Sequence, residues 1–297
     1  MSEAGTRPMG VVYDMPFDQY LQIDALSASG LRVLARSAWH YKHRGNIEPT
    51  PQMLRGTLAH CAVLEPDALA SRYIVVPDDA PRRPTAAQWA AKSPSADSKA
   101  AMGWWREFQQ RAQGRQIVPA ADYAITQQQL RAVSADPTIA AILRQGRSEV
   151  SVFWVDAATG IYCKARPDHI GTAGGFTVLD LKSTADESPS GFGRSAARMK
   201  YHLQQAHYIA GVEDAMRRKV DAFVFAAVTS APPVLAVPYI LTDELQEQAE
   251  DERRELLELY ARCKESDEWP AYGAGLQLLD FPAYAKRSGE VEIEWAE

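Results

Sequence analysis

Two short stretches of this chain carry residue types that can do chemistry together. Arg166-Pro167-Asp168 supplies one carboxylate, and Leu179-Asp180-Leu181-Lys182-Ser183 supplies a second, two residues before a lysine. Successive strand side chains point to opposite faces, so Asp180 and Lys182 emerge on the same side. Between the stretches, Gly171-Thr172-Ala173-Gly174-Gly175 has turn composition, and a hairpin there sets Asp168 beside Asp180. Two hard oxygen donors suit Mg²⁺, and an ammonium beside them can balance a phosphate and orient or deprotonate a water. Glu149, at the start of the preceding β-hairpin, can point toward the same pole. The layout fits metal-assisted hydrolysis of a phosphodiester. Each group also has a plainer reading alone: Asp168 as a turn residue, and Asp180 with Lys182 as an ion pair of little consequence.

The elements that must position these groups can be read from pattern. Residues 1–25 read as an N-terminal arm. A helix is expected over 27–43, capped by Ser27 or Ser29, and another over 53–65, stopped by Pro66. A short strand follows at 73–76. The stretch 77–99, rich in Pro, Ala and Ser, reads as a mobile surface segment, and helices follow at 97–113 and 121–145, the latter interrupted near Pro137. Then the periodicity changes. A β-hairpin is predicted over 149–166, a third strand over 176–182, a helix over 194–218, strands over 220–229 and 234–241, and a long acidic helix after Thr242. The order α-β-β-β-α-β predicts an α+β fold, a mixed central sheet flanked by helices, with a helical N-terminal elaboration. Residues 26–285 read as one domain, with a helical part over 26–148 and a core over 149–285, leaving 286–297 as a tail.

At 297 residues the chain is long enough to bury a sizeable core, and 46% hydrophobic with 24% charged residues is ordinary for a globular protein. No apolar run is long enough to span a bilayer and the N-terminus lacks a secretory h-region, so a cytoplasmic location is expected. Cys61, Cys163 and Cys263 form no CxxC pair, which argues against structural zinc and against a four-cysteine iron–sulfur cluster. The net charge of −6 looks unfavourable for a nucleic-acid partner, but binding follows local charge, and basic clusters occur at Arg32/Arg36/Lys42/His43/Arg44 and Arg194/Arg198/Lys200.

The pattern RPD-x₁₁-DLK, preceded by a β-hairpin and followed by a helix, resembles the PD-(D/E)xK nuclease superfamily. Two flanking segments sharpen the resemblance. Arg55-Gly56-Thr57-Leu58-Ala59-His60 is similar to the helical G-x-x-x-H element of the RecB-like and RecE-like branch. Gln204-Gln205-Ala206-His207-Tyr208 is similar to that branch's Q-x-x-x-Y element. The stretch from Leu26 to Tyr272 looks like the exonuclease domain of phage and prophage exonuclease VIII (RecE-type) proteins, with a restriction-endonuclease-like core.

The resemblance implies a Mg²⁺-dependent DNA exonuclease, Mn²⁺ substituting, that degrades linear duplex DNA 5′ to 3′ and leaves 3′ single-stranded tails for recombination. It implies His60, Asp168, Asp180 and the Leu181 backbone carbonyl as metal ligands, Lys182 as the residue that handles the water, and Gln204 and Tyr208 as supports. It also implies double-stranded DNA ends as substrate, a RecT-like single-strand annealing protein as partner, and a ring-forming homo-oligomer in a bacterial host cell. Arg32, Arg36, Arg55, Arg194 and Arg198 are the candidate DNA-binding residues. An endonuclease or end-processing nuclease of the same fold, and a non-catalytic DNA-binding protein, are the alternatives.

Overall fold

A computed structural model describes residues 7–45, 48–273 and 275–279. In chain order the elements are β1 (Gly10–Val12), α1 (Phe17–Gln22), α2 (Ala28–Leu34), α3 (Ala38–Lys42), α4 (Pro51–Leu64), α5 (Leu69–Arg72), β2 (Tyr73–Val75) and α6 (Ala86–Ala90). Next come α7 (Ala96–Ala112), β3 (Gln116–Val118), α8 (Ala120–Ala135), α9 (Pro137–Leu143), β4 (Gly146–Ser148), β5 (Ser151–Val155), β6 (Tyr162–Ala165) and β7 (His169–Gly171). The remainder are β8 (Thr177–Thr184), α10 (Pro189–Met199), α11 (Tyr201–Met216), β9 (Ala222–Thr229), β10 (Ala236–Tyr239) and α12 (Asp243–Ser266).

A mixed five-stranded sheet has the order β10-β9-β8-β7-β4, with β8 and β9 parallel and the other pairs antiparallel. β9 is covered on both faces and is a nearly continuous apolar run, AFVFAAVT, whereas β8, TVLDLKST, is largely buried but carries polar residues among its apolar ones. Alternation then sorts the side chains. Leu179 and Leu181 join Val224, Ala226 and Val228 of β9 against Val133, Ile139 and Ile142 of α8 and α9. Val178 turns the other way, with Phe223, Phe225 and Ala227, into a larger core filled by Leu203 and Val212 of α11 and Leu256 and Leu257 of α12. A fully buried leucine contributes about 2 kcal/mol, so these two cores fix the facing of β8, and a one-residue slip would invert both. Asp180 and Lys182 therefore face α11.

The structure differs from the sequence reading in several places. The predicted hairpin pairs as β5 and β6 but belongs, with β1, to a separate three-stranded sheet. The pairings β4–β7 and β5–β6 nevertheless share one antiparallel register, so the four strands form one ribbon bent between the two sheets. The helix expected over 27–43 is two helices, because Ser37 is extended and caps α3 through its side chain. The helix expected from 194 begins at Pro189 and breaks at Lys200, whose φ of 50° is left-handed. Segment 77–99 lies on the surface, as expected, but holds regular structure: Thr85 and Gln88 form a capping box on α6, and the Trp105 indole donates to the Pro81 carbonyl at 2.9 Å.

Positions 1–6 lie outside the described residues, and residues 7–25 of the predicted arm are anchored to the core. Among them β1 pairs with β5, and Met15 and Tyr20 pack on Phe153, an anchoring that the short apolar run does not advertise. Positions 280–297, which include the predicted tail, lie outside the described residues.

Candidate metal centre and cleft

The bend in the ribbon builds the site. Glu149 sits at the bend with a left-handed φ of 54°, a conformation that costs about 1 kcal/mol or more for a non-glycine residue. Its N–H still donates to the Asp168 carbonyl at 2.9 Å, so the ladder continues through the bend and sets the two residues side by side. The β7–β8 register, His169 opposite Leu179, places Asp168 just past the strand end, opposite Asp180. The Leu181 N–H donates to Asp168 Oδ2 at 2.7 Å, tying the two strands' acidic residues to one backbone position.

His60 arrives from α4. The face Met53, Gly56, Thr57, His60 has helical spacing and lines the cleft, while Leu58, Ala59 and Ala62 are buried behind it. His60 Nδ1 lies 3.5 Å from Asp168 Oδ2. Donor atoms of His60, Glu149 and Asp168 all fall within 4.8 Å of one another.

Asp180 does not join this group. Its carboxylate is paired with the Lys182 ammonium and accepts from Gln204 Nε2 at 2.7 Å, while Lys182 Nζ donates to Gln204 Oε1 at 2.9 Å. The Asp180–Lys182 pair is thus part of a closed, buried triangle, Asp180 being 1% exposed, and not a solvated surface pair. Lys182 Nζ also lies 4.5 Å from the Tyr201 ring centre. One helical turn beyond Gln204, Tyr208 keeps its hydroxyl beside the Gln204 side chain.

The electrostatics separate the roles. Burial, then the nearby Asp180 charge, push the Asp168 carboxyl well above the usual carboxylate range, against the pull of Lys182. Burial also raises Glu149, opposed by Arg166. Burial and then Lys182 lower His60, leaving a neutral imidazole with a lone pair to offer, although a hydrogen bond to the Leu181 backbone acts the other way. For Lys182, burial favours the neutral form, but Asp180 and Asp168 outweigh it and the ammonium is kept protonated. Lys182 is therefore suited to positioning and charge balance, and poorly suited to removing a proton. Tyr208 is raised well above its ordinary value by burial and stays a neutral hydroxyl. A neutral imidazole and two crowded carboxyls with elevated proton affinity are a donor set that a divalent cation would relieve, so the residues fit such an ion.

These groups open into a cleft of about 1460 Å³ walled by α1, α2, α4 and the ribbon. Of the candidate DNA contacts, Arg32 lines it; Arg36, Arg55, Arg194 and Arg198 are exposed but stand outside its wall, and Arg194 faces Asp186 at 3.7 Å. Two residues received no role from sequence although both lie in the quoted motif region. Arg166 donates to Glu149 Oε2 (2.7 Å), to Ser151 Oγ (2.8 Å) and to the Met15 carbonyl (2.9 Å). Lys164 donates to the Tyr20, Leu21 and Ile23 carbonyls at 2.8, 3.3 and 2.7 Å, capping the C-terminal end of α1 from inside the cleft. The signal was present in their spacing: at i and i+2, on β6 and just past its end, they share a face. Cys61, Cys163 and Cys263 are buried free thiols, and burial raises Cys163 to about 12. Among the described residues no helix is long and apolar enough to cross a membrane.

A family model described as a PDDEXK-like domain of unknown function (DUF3799) matches residues 22–280. No curated protein matches the chain significantly. Among solved structures, that of a candidate exonuclease from Eubacterium rectale is similar with a TM-score of 0.56 at 13% identity, over 93% of this chain and 96% of the other.

Proposed function

The chain belongs to the family of PDDEXK-like domains, and from that premise we propose that it is a divalent-metal-dependent exodeoxyribonuclease acting on linear duplex DNA. The family and the fold support a nuclease. The observation that carries the metal dependence is the convergence of His60, Glu149 and Asp168 beside the Asp180–Lys182–Gln204 triangle at the inner end of one cleft.

His60, Glu149 and Asp168 would hold the cation, and the resemblance adds the Leu181 carbonyl and Asp180 as further donors. When bound, the cation supplies charge neutralisation at the scissile phosphate and acidifies water. Lys182, kept cationic, would orient the attacking water and balance charge on the phosphate. Gln204 would hold both Lys182 and Asp180 in register, and the neutral Tyr208 hydroxyl would donate to the nucleophile or the phosphate. Arg166 would keep Glu149 aimed at the centre.

By the resemblance to RecE-type exonucleases, we further propose 5′-to-3′ degradation with Mg²⁺, Mn²⁺ substituting, and 3′ tails passed to a single-strand annealing protein. A ring-forming homo-oligomer in a bacterial cytoplasm completes that reading. The test uses end-labelled linear duplex and covalently closed circular DNA, each with Mg²⁺ or EDTA. Mg²⁺-dependent loss of the linear substrate alone, with label position giving the polarity, is the expected result. Cutting of the circle would replace the proposal with an endonuclease, and no cutting of either with a binding protein. Light scattering of the full chain tests the ring.

A further inference from the structure

α3 carries a surface that the cleft chemistry does not use. Trp39, Lys42, His43 and Arg44 are exposed along it, with Arg36 just before its cap. Trp39 is 45% exposed, although folding normally buries most of a tryptophan. Its indole lies parallel to the His43 ring, with centroids 4.5 Å apart at 13°, and meets the His40 ring edge-on at 5.3 Å. Tyr272, 62% exposed, stands 6.0 Å from His40.

The fold holds this array from beneath. Ser37 Oγ accepts from the His40 N–H at 3.1 Å and bonds the His40 ring Nδ1 at 2.6 Å. The Trp39 N–H donates to the Pro270 carbonyl at 2.9 Å, and Tyr41, pointing inward, stacks on Trp269 and meets Tyr260 edge-on. The exposed rings are therefore placed before any partner arrives, which lowers the entropy lost on binding.

Cations frame the rings. Lys42 is engaged by Asp267 at 2.8 Å, which leaves the guanidinium groups of Arg36 and Arg44 to define the local charge. Arg44 lies 3.7 Å over the Tyr41 ring, donates to the Tyr41 carbonyl at 2.6 Å, and also lines the cleft with Arg32. Arg44, next in sequence to His43, thus carries its guanidinium to the cleft mouth. Flat rings flanked by guanidinium groups match unpaired nucleotides, whose bases have free faces to stack and whose phosphates pair with arginine. An intact duplex offers no free base faces.

We propose that the α3 surface binds single-stranded DNA, bases stacking on Trp39 and Tyr272 and phosphates meeting Arg36 and Arg44. Naming the strand as the unpaired one at the cleft mouth rests on the nuclease reading, but the binding itself needs no cleavage. The experiment is fluorescence anisotropy of a labelled oligothymidylate, about 20 nucleotides to exceed one site, with full-length protein in EDTA. Trp39→Ala should weaken binding about 5- to 150-fold, the range for one lost base–aromatic stack. Trp39→Phe should restore most of it, and Tyr272→Ala should weaken it as well. Arg36→Ala should instead lower the slope of log affinity against log salt by about one.

Mg²⁺-dependent cleavage of a short duplex is followed separately. If that fails while oligothymidylate binding still depends on Trp39, the nuclease reading falls and the surface stands. Wild-type affinity in Trp39→Ala, or no binding by the wild type, overturns the proposal. Trp39-dependent self-association without an effect on DNA binding, meaning that the face receives a second copy, overturns it too.

Discussion

Replacing Lys182 by methionine tests the internal logic of the site before any substrate is involved. Lys182 pairs with an Asp180 carboxylate that is 1% exposed, and among the described residues the only other side chain hydrogen-bonded to that carboxylate is Gln204. Methionine keeps most of the volume over Tyr201 and removes the charge, so the loss is electrostatic. An exposed ion pair would be worth about 0–1 kcal/mol. Breaking a buried one leaves an uncompensated charge and costs about 3–5 kcal/mol. At about 2–4 °C per kcal/mol for a domain of this size, Lys182→Met should lower the Tm in EDTA by roughly 6–20 °C. The double variant Lys182→Met/Asp180→Asn removes both charges and should recover most of the loss, giving a large coupling in a double-mutant cycle. Mg²⁺ should raise the Tm of Lys182→Met more than that of the wild type, because Asp180 is then free to coordinate. Thermal unfolding by circular dichroism reads all of this. If Lys182→Met melts with the wild type in EDTA, the pair is not the buried triangle described above and the argument for Lys182 fails.

Three further outcomes follow from other parts of the molecule. Arg166→Ala strips Glu149 of its partner and breaks the link to Met15; the urea midpoint should report about 3 kcal/mol of destabilisation, and divalent-ion affinity by calorimetry should fall with it. His207 is fully buried against Trp154 and burial holds it down at about 3, so the unfolded state binds the proton more tightly. Its contribution is present above the unfolded value near 6.5 and is lost as pH falls toward 3, at about 1.4 kcal/mol per pH unit; in denaturant titrations at pH 4 and 7, His207→Gln should lose less stability on acidification than the wild type. Gly211 has no room for a side chain, since an added Cβ would stand 2.4 Å from the Trp154 ring; Gly211→Ala should cost about 1–3 kcal/mol, and a melting temperature equal to that of wild type would show that α11 and β5 are not packed as described.

What could be read from sequence was what rests on local alternation and local turn chemistry. The Asp180/Lys182 pairing of faces follows from period two, and the glycine-rich turn was enough to bring Asp168 opposite Asp180. β4 and β7 are three-residue strands, too short for a pattern, so the bent ribbon was not legible, nor was the left-handed Glu149 that aims a carboxylate into the site. Tertiary contact decided the N-terminal segment: Met15, Tyr20 and Ile23 are held by carbonyl bonds to Lys164 and Arg166, which no window over residues 1–25 contains. The break at Ser37 was a missed cap signal, and without it the Trp39 surface could not be placed.

The central claim is that His60, Glu149 and Asp168 form a divalent-metal centre on which phosphodiester cleavage depends. The most direct measurement is Mn²⁺ binding by electron paramagnetic resonance alongside cleavage of end-labelled linear duplex over the same Mn²⁺ titration, for wild type and Asp168→Asn. Cleavage by the wild type should saturate with occupancy of the bound Mn²⁺, and Asp168→Asn should lose both while keeping a native circular dichroism spectrum. Cleavage that persists in EDTA, or an Asp168→Asn variant that binds Mn²⁺ and cuts as the wild type does, would contradict that claim.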